Sequence, residues 1–153
     1  MNKLITLLVL SLFVFGCSDN DDDRGQTDAL VGKWSFNSIT VEDQGLDAHL
    51  AAVTSADKKN REKHMKDTYI EFTKNGKYTD TSEGIVDADY YTKDGFIFFK
   101  EKSSTDWEKW PYQLSSTNNT VFTYVMDETD EYKGMYPDYG VIKVVFNYVY
   151  LKN

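Results

Sequence analysis

The chain has 153 residues and a formal net charge of -8, with 25 acidic side chains against 17 basic ones, a balance that excludes nucleic acid or anionic lipid as partners of a basic face. Its length suits one domain, and a single cysteine excludes an intrachain disulfide, so the fold must be held by its core. Aromatic residues make up 15% of the chain (11 Tyr, 9 Phe and 3 Trp), a composition that favours strands and large-side-chain packing.

The chain starts with Met1-Asn2-Lys3, a short positive segment, followed by residues 4–16 (LITLLVLSLFVFG), nearly all large and apolar. This pattern predicts a secretory leader, since it is too short for a hydrocarbon core that needs about 20 apolar residues. Val14-Phe15-Gly16-Cys17 resembles a lipobox, which implies cleavage before Cys17 and a diacylglyceryl group on its thiol. Two or three acyl chains, with each buried methylene worth about 0.8 kcal/mol, would hold such a protein stably on a membrane. Residues 17–28 (CSDNDDDRGQTD) are polar and acidic and read as a lipidated, disordered tether. The aspartate run resembles the signal that sends some Gram-negative lipoproteins to the outer face of the outer membrane, so cell-surface exposure is expected. Asp19, Asp21, Asp23 and Asp28 also alternate like the carboxylates of a calcium loop, but Gly25 falls one position late and no helix signal precedes them.

Residues 29–153 form the predicted globular domain. The first strand candidate is 33–42 (KWSFNSITVE). Residues 46–66 lack β-branched density and read as one or two helices, with Ser55 as N-cap of the second, a segment suited to a lid or plug. Strands at 69–73 and 77–81 flank Lys74-Asn75-Gly76, whose Asn-Gly pair supplies left-handed residues for a hairpin. Strands at 86–91 and 96–101 flank Thr92-Lys93-Asp94-Gly95, and those at 110–114 and 121–126 flank the polar residues 115–120. Residues 141–151 (VIKVVFNYVYL) close the series as the eighth strand. Alternation directs Ile142, Val144, Phe146, Tyr148 and Tyr150 inward, along with Ile70 and Phe72, while Glu71 and Thr73 face out. Eight antiparallel strands joined by hairpins can remove their edges by closing into an up-and-down barrel, with room for one small ligand.

Gly32-Lys33-Trp34 at the start of the first strand is similar to the G-x-W signature of lipocalins, in which the Trp closes one end of the barrel. Residues 70–78 (IEFTKNGKY), 91–95 (YTKDG) and 112–114 (YQL) resemble bacterial lipocalin-like lipoproteins, and the likeness spans most of residues 30–152. Two features depart from that pattern: the helical insertion between the first two strands, and the lack of a C-terminal arginine to pack over Trp34. The resemblance implies an all-β, eight-stranded antiparallel barrel that binds a small apolar or amphipathic ligand. Trp34, Phe72, Tyr91, Phe146 and Tyr148 are the expected ligand-binding residues, and a monomer is expected.

The residues offer little reactive chemistry. His49 and His64 lie 15 positions apart in the helical interval without a metal-ligand spacing, no serine sits in a nucleophile elbow, and no glycine-rich phosphate loop occurs. A non-enzymatic protein without a cofactor is therefore expected. A second reading draws on Trp107, Trp110, Tyr112, Tyr124, Tyr132, Tyr136 and Tyr139, which cluster between residues 107 and 139. Exposed rings there could form a platform for a glycan or a partner protein.

Overall fold

A computed structural model describes residues 28–115 and 118–153. The expected leader, Cys17 and nearly all of the acidic tether lie outside the described residues. Eight antiparallel strands, β1 (Gly32–Gln44), β2 (Tyr69–Phe72), β3 (Lys77–Asp80), β4 (Ile85–Lys93), β5 (Phe96–Lys100), β6 (Glu108–Leu114), β7 (Val121–Asp127) and β8 (Lys143–Lys152), follow one another around a closed barrel. Helix α1 (Ala48–Met65) is inserted between β1 and β2, and α2 (Thr129–Met135) with a 3-10 turn (Pro137–Tyr139) between β7 and β8. The barrel is thus the one that hairpin spacing and alternation predict.

Closure rests on the long β1–β8 pairing, which runs from Trp34 opposite Lys152 to Gln44 opposite Lys143. The register shifts by one residue between Phe36 and Ser38. Such a bulge changes which parity faces inward. Trp34 is buried before it and Ile39 after it, so the core face passes from even to odd positions. A second irregularity separates Tyr78 from Asp80 opposite β4, where Asp87 has a positive φ of 56°.

The hairpins follow their turn residues. Asp94 (φ 52°) and Gly95 (φ 79°) form a two-residue turn between the paired Lys93 and Phe96, both in the left-handed region that matches strand twist. In the Lys74-Asn75-Gly76 turn, by contrast, only Gly76 is left-handed, so the turn is a three-residue loop with a terminal glycine.

Two further local expectations are corrected. Residues 48–65 form one helix, capped by Asp47, whose carboxylate accepts from the Leu50 amide at 2.8 Å, and Ser55 lies in its interior. Ile142 is 62% exposed instead of inward, because β8 begins at Lys143 and the preceding backbone is still leaving the left-handed Gly140. Val141 takes the buried position in its place. Helix α2 went unforeseen in a polar stretch where only Tyr132 is buried.

One end of the barrel is sealed by Trp34. Its indole Nε1 donates to the Leu30 carbonyl at 2.7 Å, and its ring packs on Phe122 at 5.7 Å. Lys152 Nζ lies 5.1 Å above the Trp34 ring and also donates to the Ala29 carbonyl. A lysine from the last strand therefore provides the cation over the indole. Gly32 has φ 133°, and a Cβ there would come within 3.1 Å of Lys152 Cε, so a side chain meets both strain and crowding. Trp34→Ala should destabilise the barrel by about 3–5 kcal/mol, and Gly32→Ala by about 1–3 kcal/mol, both read as lowered denaturant midpoints with unchanged m-values. A Trp34→Ala midpoint equal to that of the parent would show that the seal contributes nothing.

Candidate functional site

The barrel interior is divided by side-chain size. Toward the Trp34 end, Phe72 packs on Tyr78 (5.1 Å), Tyr90 (5.0 Å) and Phe122 (5.8 Å), and Phe122 on Tyr150 (5.6 Å). The residual space that Phe72, Tyr78, Phe122 and Tyr150 share with Trp110 and Tyr124 is only about 10 Å³. Toward the opposite end the interior opens into a cavity of about 660 Å³, within the range of about 300–1,000 Å³ typical of small-molecule sites.

The wall of this cavity is aromatic on the side of β5 to β8. Phe99 and Trp110 have centroids 4.1 Å apart, Trp110 and Tyr124 4.7 Å, and Tyr124 and Tyr148 5.4 Å, so the rings form one continuous row. Met126 and Tyr150 extend it. Asn60, Arg61, His64 and Met65 of α1 line a second side, and Asp80, Ser82, Glu83, Ile85, Glu101 and Glu108 the remainder. Most inward aromatics of the barrel are buried, yet Trp110 and Tyr124 are only half-buried, as is Met126. Burial still pushes the phenols of Tyr124, Tyr148 and Tyr150 above their ordinary pKa, so they remain neutral donors and acceptors in the physiological range.

Helix α1 is held over this end by a polar network. Arg61 Nη1 donates to Glu128 Oε1 (2.7 Å) and to Tyr148 Oη (2.9 Å), while Nη2 donates to Glu128 Oε2 (2.8 Å) and Asp57 Oδ2 (3.0 Å). The Tyr132 hydroxyl also donates to Asp57 Oδ2, at 3.2 Å. The guanidinium lies 4.3 Å from the centroid of Phe146. Burial alone would lower the Arg61 pKa, but the hydrogen bonds to Asp57, Glu128 and Tyr148 outweigh it and hold the group above its ordinary value. Glu62 adds a further tie by accepting from the Ile39 amide at 3.1 Å. Deeper in the barrel, the buried Asp80 accepts from the Tyr78 hydroxyl (2.9 Å), the Ser82 amide (2.8 Å) and Ser82 Oγ (2.6 Å). Burial, then the nearby Asp80 carboxylate, raises the Tyr78 pKa well above its usual value.

The expected ligand-binding residues separate on this geometry. Tyr148 lines the open cavity. Trp34 and Phe72 belong to the packed end, where neighbouring rings fill the space. Phe146 is covered by the Arg61 guanidinium and Tyr132. Tyr91 is on the outer face: it stacks on Phe98 at 4.6 Å and meets the edge of Trp107 at 4.9 Å, because Tyr90 and Thr92 take the inward positions of β4. Of the aromatics considered as an external platform, Trp110 and Tyr124 turn into the cavity and Tyr132 is buried beside α1. Arg61, Asp80, Phe99, Trp110, Tyr124 and Met126 went unrecognised as lining, although alternation within β5 and β7 places Phe99, Tyr124 and Met126 on the same face as the buried Ile97 and Phe122.

Among the described residues, no group of three or more His, Cys, Asp or Glu could hold a metal ion. Compared with known proteins, the chain matches no family model, no curated protein and no solved structure.

Replacing Arg61 leaves Glu128 buried without a counter-charge, and the side chains are 25% and 8% exposed, so the penalty is that of a largely desolvated ion pair. Arg61→Met should cost about 3 kcal/mol, and Glu128→Gln in the same background should recover most of it. A double-mutant cycle by urea unfolding checks this, and additive losses would show that the two groups act independently.

Proposed function

We propose that this protein is a non-enzymatic, lipocalin-like lipoprotein that binds one small apolar or amphipathic molecule in the open end of its barrel. The observation that carries the reading is the row of Trp110, Tyr124 and Met126, partly buried against the core and bordering a cavity of about 660 Å³. Apolar surface left facing a concave, water-accessible space is surface whose burial by an occupant is favourable, at roughly 25 cal/mol per Å². The Tyr124 and Tyr148 hydroxyls, with Asn60 and Asp80, are among the polar groups that orient a bound molecule. Fold alone does not give function, and the support lies in the cavity.

In this reading the monomeric barrel is anchored to the outer membrane by the acylated Cys17 and displayed at the cell surface on residues 17–28, clear of the lipid. The support is the leader, the lipobox-like VFGC and the acidic run behind it. Cys17→Ala should abolish incorporation of labelled palmitate and leave an uncleaved or mislocalised precursor. Equal labelling of the two forms would remove the lipid anchor from the proposal.

A second reading keeps an outer-face patch in view. Tyr91, Phe98 and Phe96 form a cluster on the sheet exterior, with Trp107 against Tyr91 and Lys100 5.1 Å from the Trp107 ring, an arrangement suited to stacking on a glycan.

The cavity is tested with N-phenyl-naphthylamine, an uncharged probe that fluoresces in apolar sites. It should bind at about one per protein, as expected for a single pocket of this size. Asn60→Trp, at an exposed position of α1 that borders the cavity, should abolish that binding with little change in denaturant midpoint, because the added ring displaces no core packing. A loss of about 1–3 kcal/mol together with no binding by the parent protein would mean a filled interior. Trp107→Ala against a glycan panel would then decide the second reading.

A further inference from the structure

We propose that the molecule bound in the cavity is a cation: an amphipathic amine or quaternary ammonium compound, its apolar body against Trp110 and Tyr124 and its charged head toward Glu83, Glu101 and Glu108. The inference rests on the pocket reading above and names the chemical class of its ligand.

The charge on the wall is strongly one-sided. Asp80, Glu83, Glu101 and Glu108 all border the cavity, against Arg61 and His64. Arg61 is taken up by Glu128 and Asp57, so it presents little free positive charge to an occupant. Among the described residues, Glu83, Glu101 and Glu108 make no ion pair with any lysine or arginine. The nearby lysines are engaged elsewhere: Lys102 pairs with Asp87, Lys100 lies by Trp107, and Lys109 lies 5.2 Å from the Phe96 ring on the outer face.

Three exposed carboxylates, with no lysine or arginine partner among the described residues, thus line the same cavity as the aromatic row. An uncharged occupant would leave them uncompensated and would displace part of their water, and an anion would add repulsion. A cation compensates the carboxylates and also meets the negative faces of Trp110 and Tyr124, which attract positive charge. The low-dielectric wall focuses the field into the cup and favours entry of cations. The rings come from β5 to β8, Glu83 and Glu101 from the loops after β3 and β5, and Glu108 from the strand that carries Trp110, and they converge in the folded barrel.

Tryptamine, skatole and indolepropionate share one ring system and differ in charge, so calorimetric titration of the purified protein with each isolates the charge effect. Tryptamine should bind about tenfold more tightly than skatole, and indolepropionate more weakly than either. The tryptamine advantage should shrink with added salt and fall several-fold in Glu101→Gln/Glu108→Gln, with skatole affinity unchanged. Equal affinity for tryptamine and skatole, or a preference that survives both substitutions and high salt, would overturn the proposal. Binding of N-phenyl-naphthylamine and skatole without charge preference would overturn this inference alone. If neither N-phenyl-naphthylamine nor any indole binds, the pocket reading fails, and this one with it.

Discussion

A guanidinium taken out of water seeks acceptors for its donors, and in this barrel those of the two Nη groups of Arg61 come from three directions, while its buried Nε has no partner among the described residues. Asp57 lies one turn away on α1, Glu128 at the β7–α2 junction, and Tyr148 on β8. Their convergence fixes where α1 sits. The helix has little apolar surface of its own to dock, since its buried residues are Leu50, Thr54 and Met65, too few and too widely spaced for a continuous stripe. Its placement is therefore directional and polar where helix packing is usually apolar and diffuse. A buried ion pair of this kind is a weak source of net stability, because desolvation offsets most of the attraction, but a mispaired arrangement is heavily penalised. That asymmetry suits a structural role in which one helix position is selected over its neighbours. Without it, the cavity below α1 would lose one of its walls.

The division of the interior follows from a second constraint, the volume of an eight-stranded barrel. Such a barrel is only wide enough for side chains to fill or for one small ligand to occupy. Trp34, Phe72, Tyr78, Phe122 and Tyr150 use up the space toward the sealed end. At the other end the inward positions on β6 and β7 still carry large rings, but the lining there also includes Ser82, Asp80 and Glu83, which do not fill the middle. The result is a cup with a tightly packed base.

Much of this architecture was legible in the residues. Alternation marked all eight strands, and Asp94-Gly95 specified its turn, because both signals act between neighbours in the chain. The failures share a different character. Depth along the barrel axis leaves no trace in a period of two, so Phe72 and Tyr148 read as equivalent inward residues, although one lies in the packed base and the other lines the cup. The bulge between Phe36 and Ser38 shifts parity without a glycine or proline to announce it. Arg61 and Glu128 are 67 residues apart and polar, so no periodic pattern joins them. Helix α2 lacks an apolar stripe, and the Asp127 carboxylate that accepts from the Thr129 amide at its start is a signal shared by many simple turns.

Arg61 links the two halves of the functional argument. Positive charge on a cavity wall would normally repel a cationic occupant, and Arg61 borders the same space as Glu101 and Glu108. Its bidentate pairing is with Glu128, which does not line the cavity, and Glu83, Glu101 and Glu108 are not among its partners. The contact that positions the helix therefore also removes the principal obstacle to a negative potential in the cavity. A neutral residue at position 61 would lack the first function, and an unpaired arginine would defeat the second. The paired arginine is thus compatible both with a fixed helix and with an acidic cup wall.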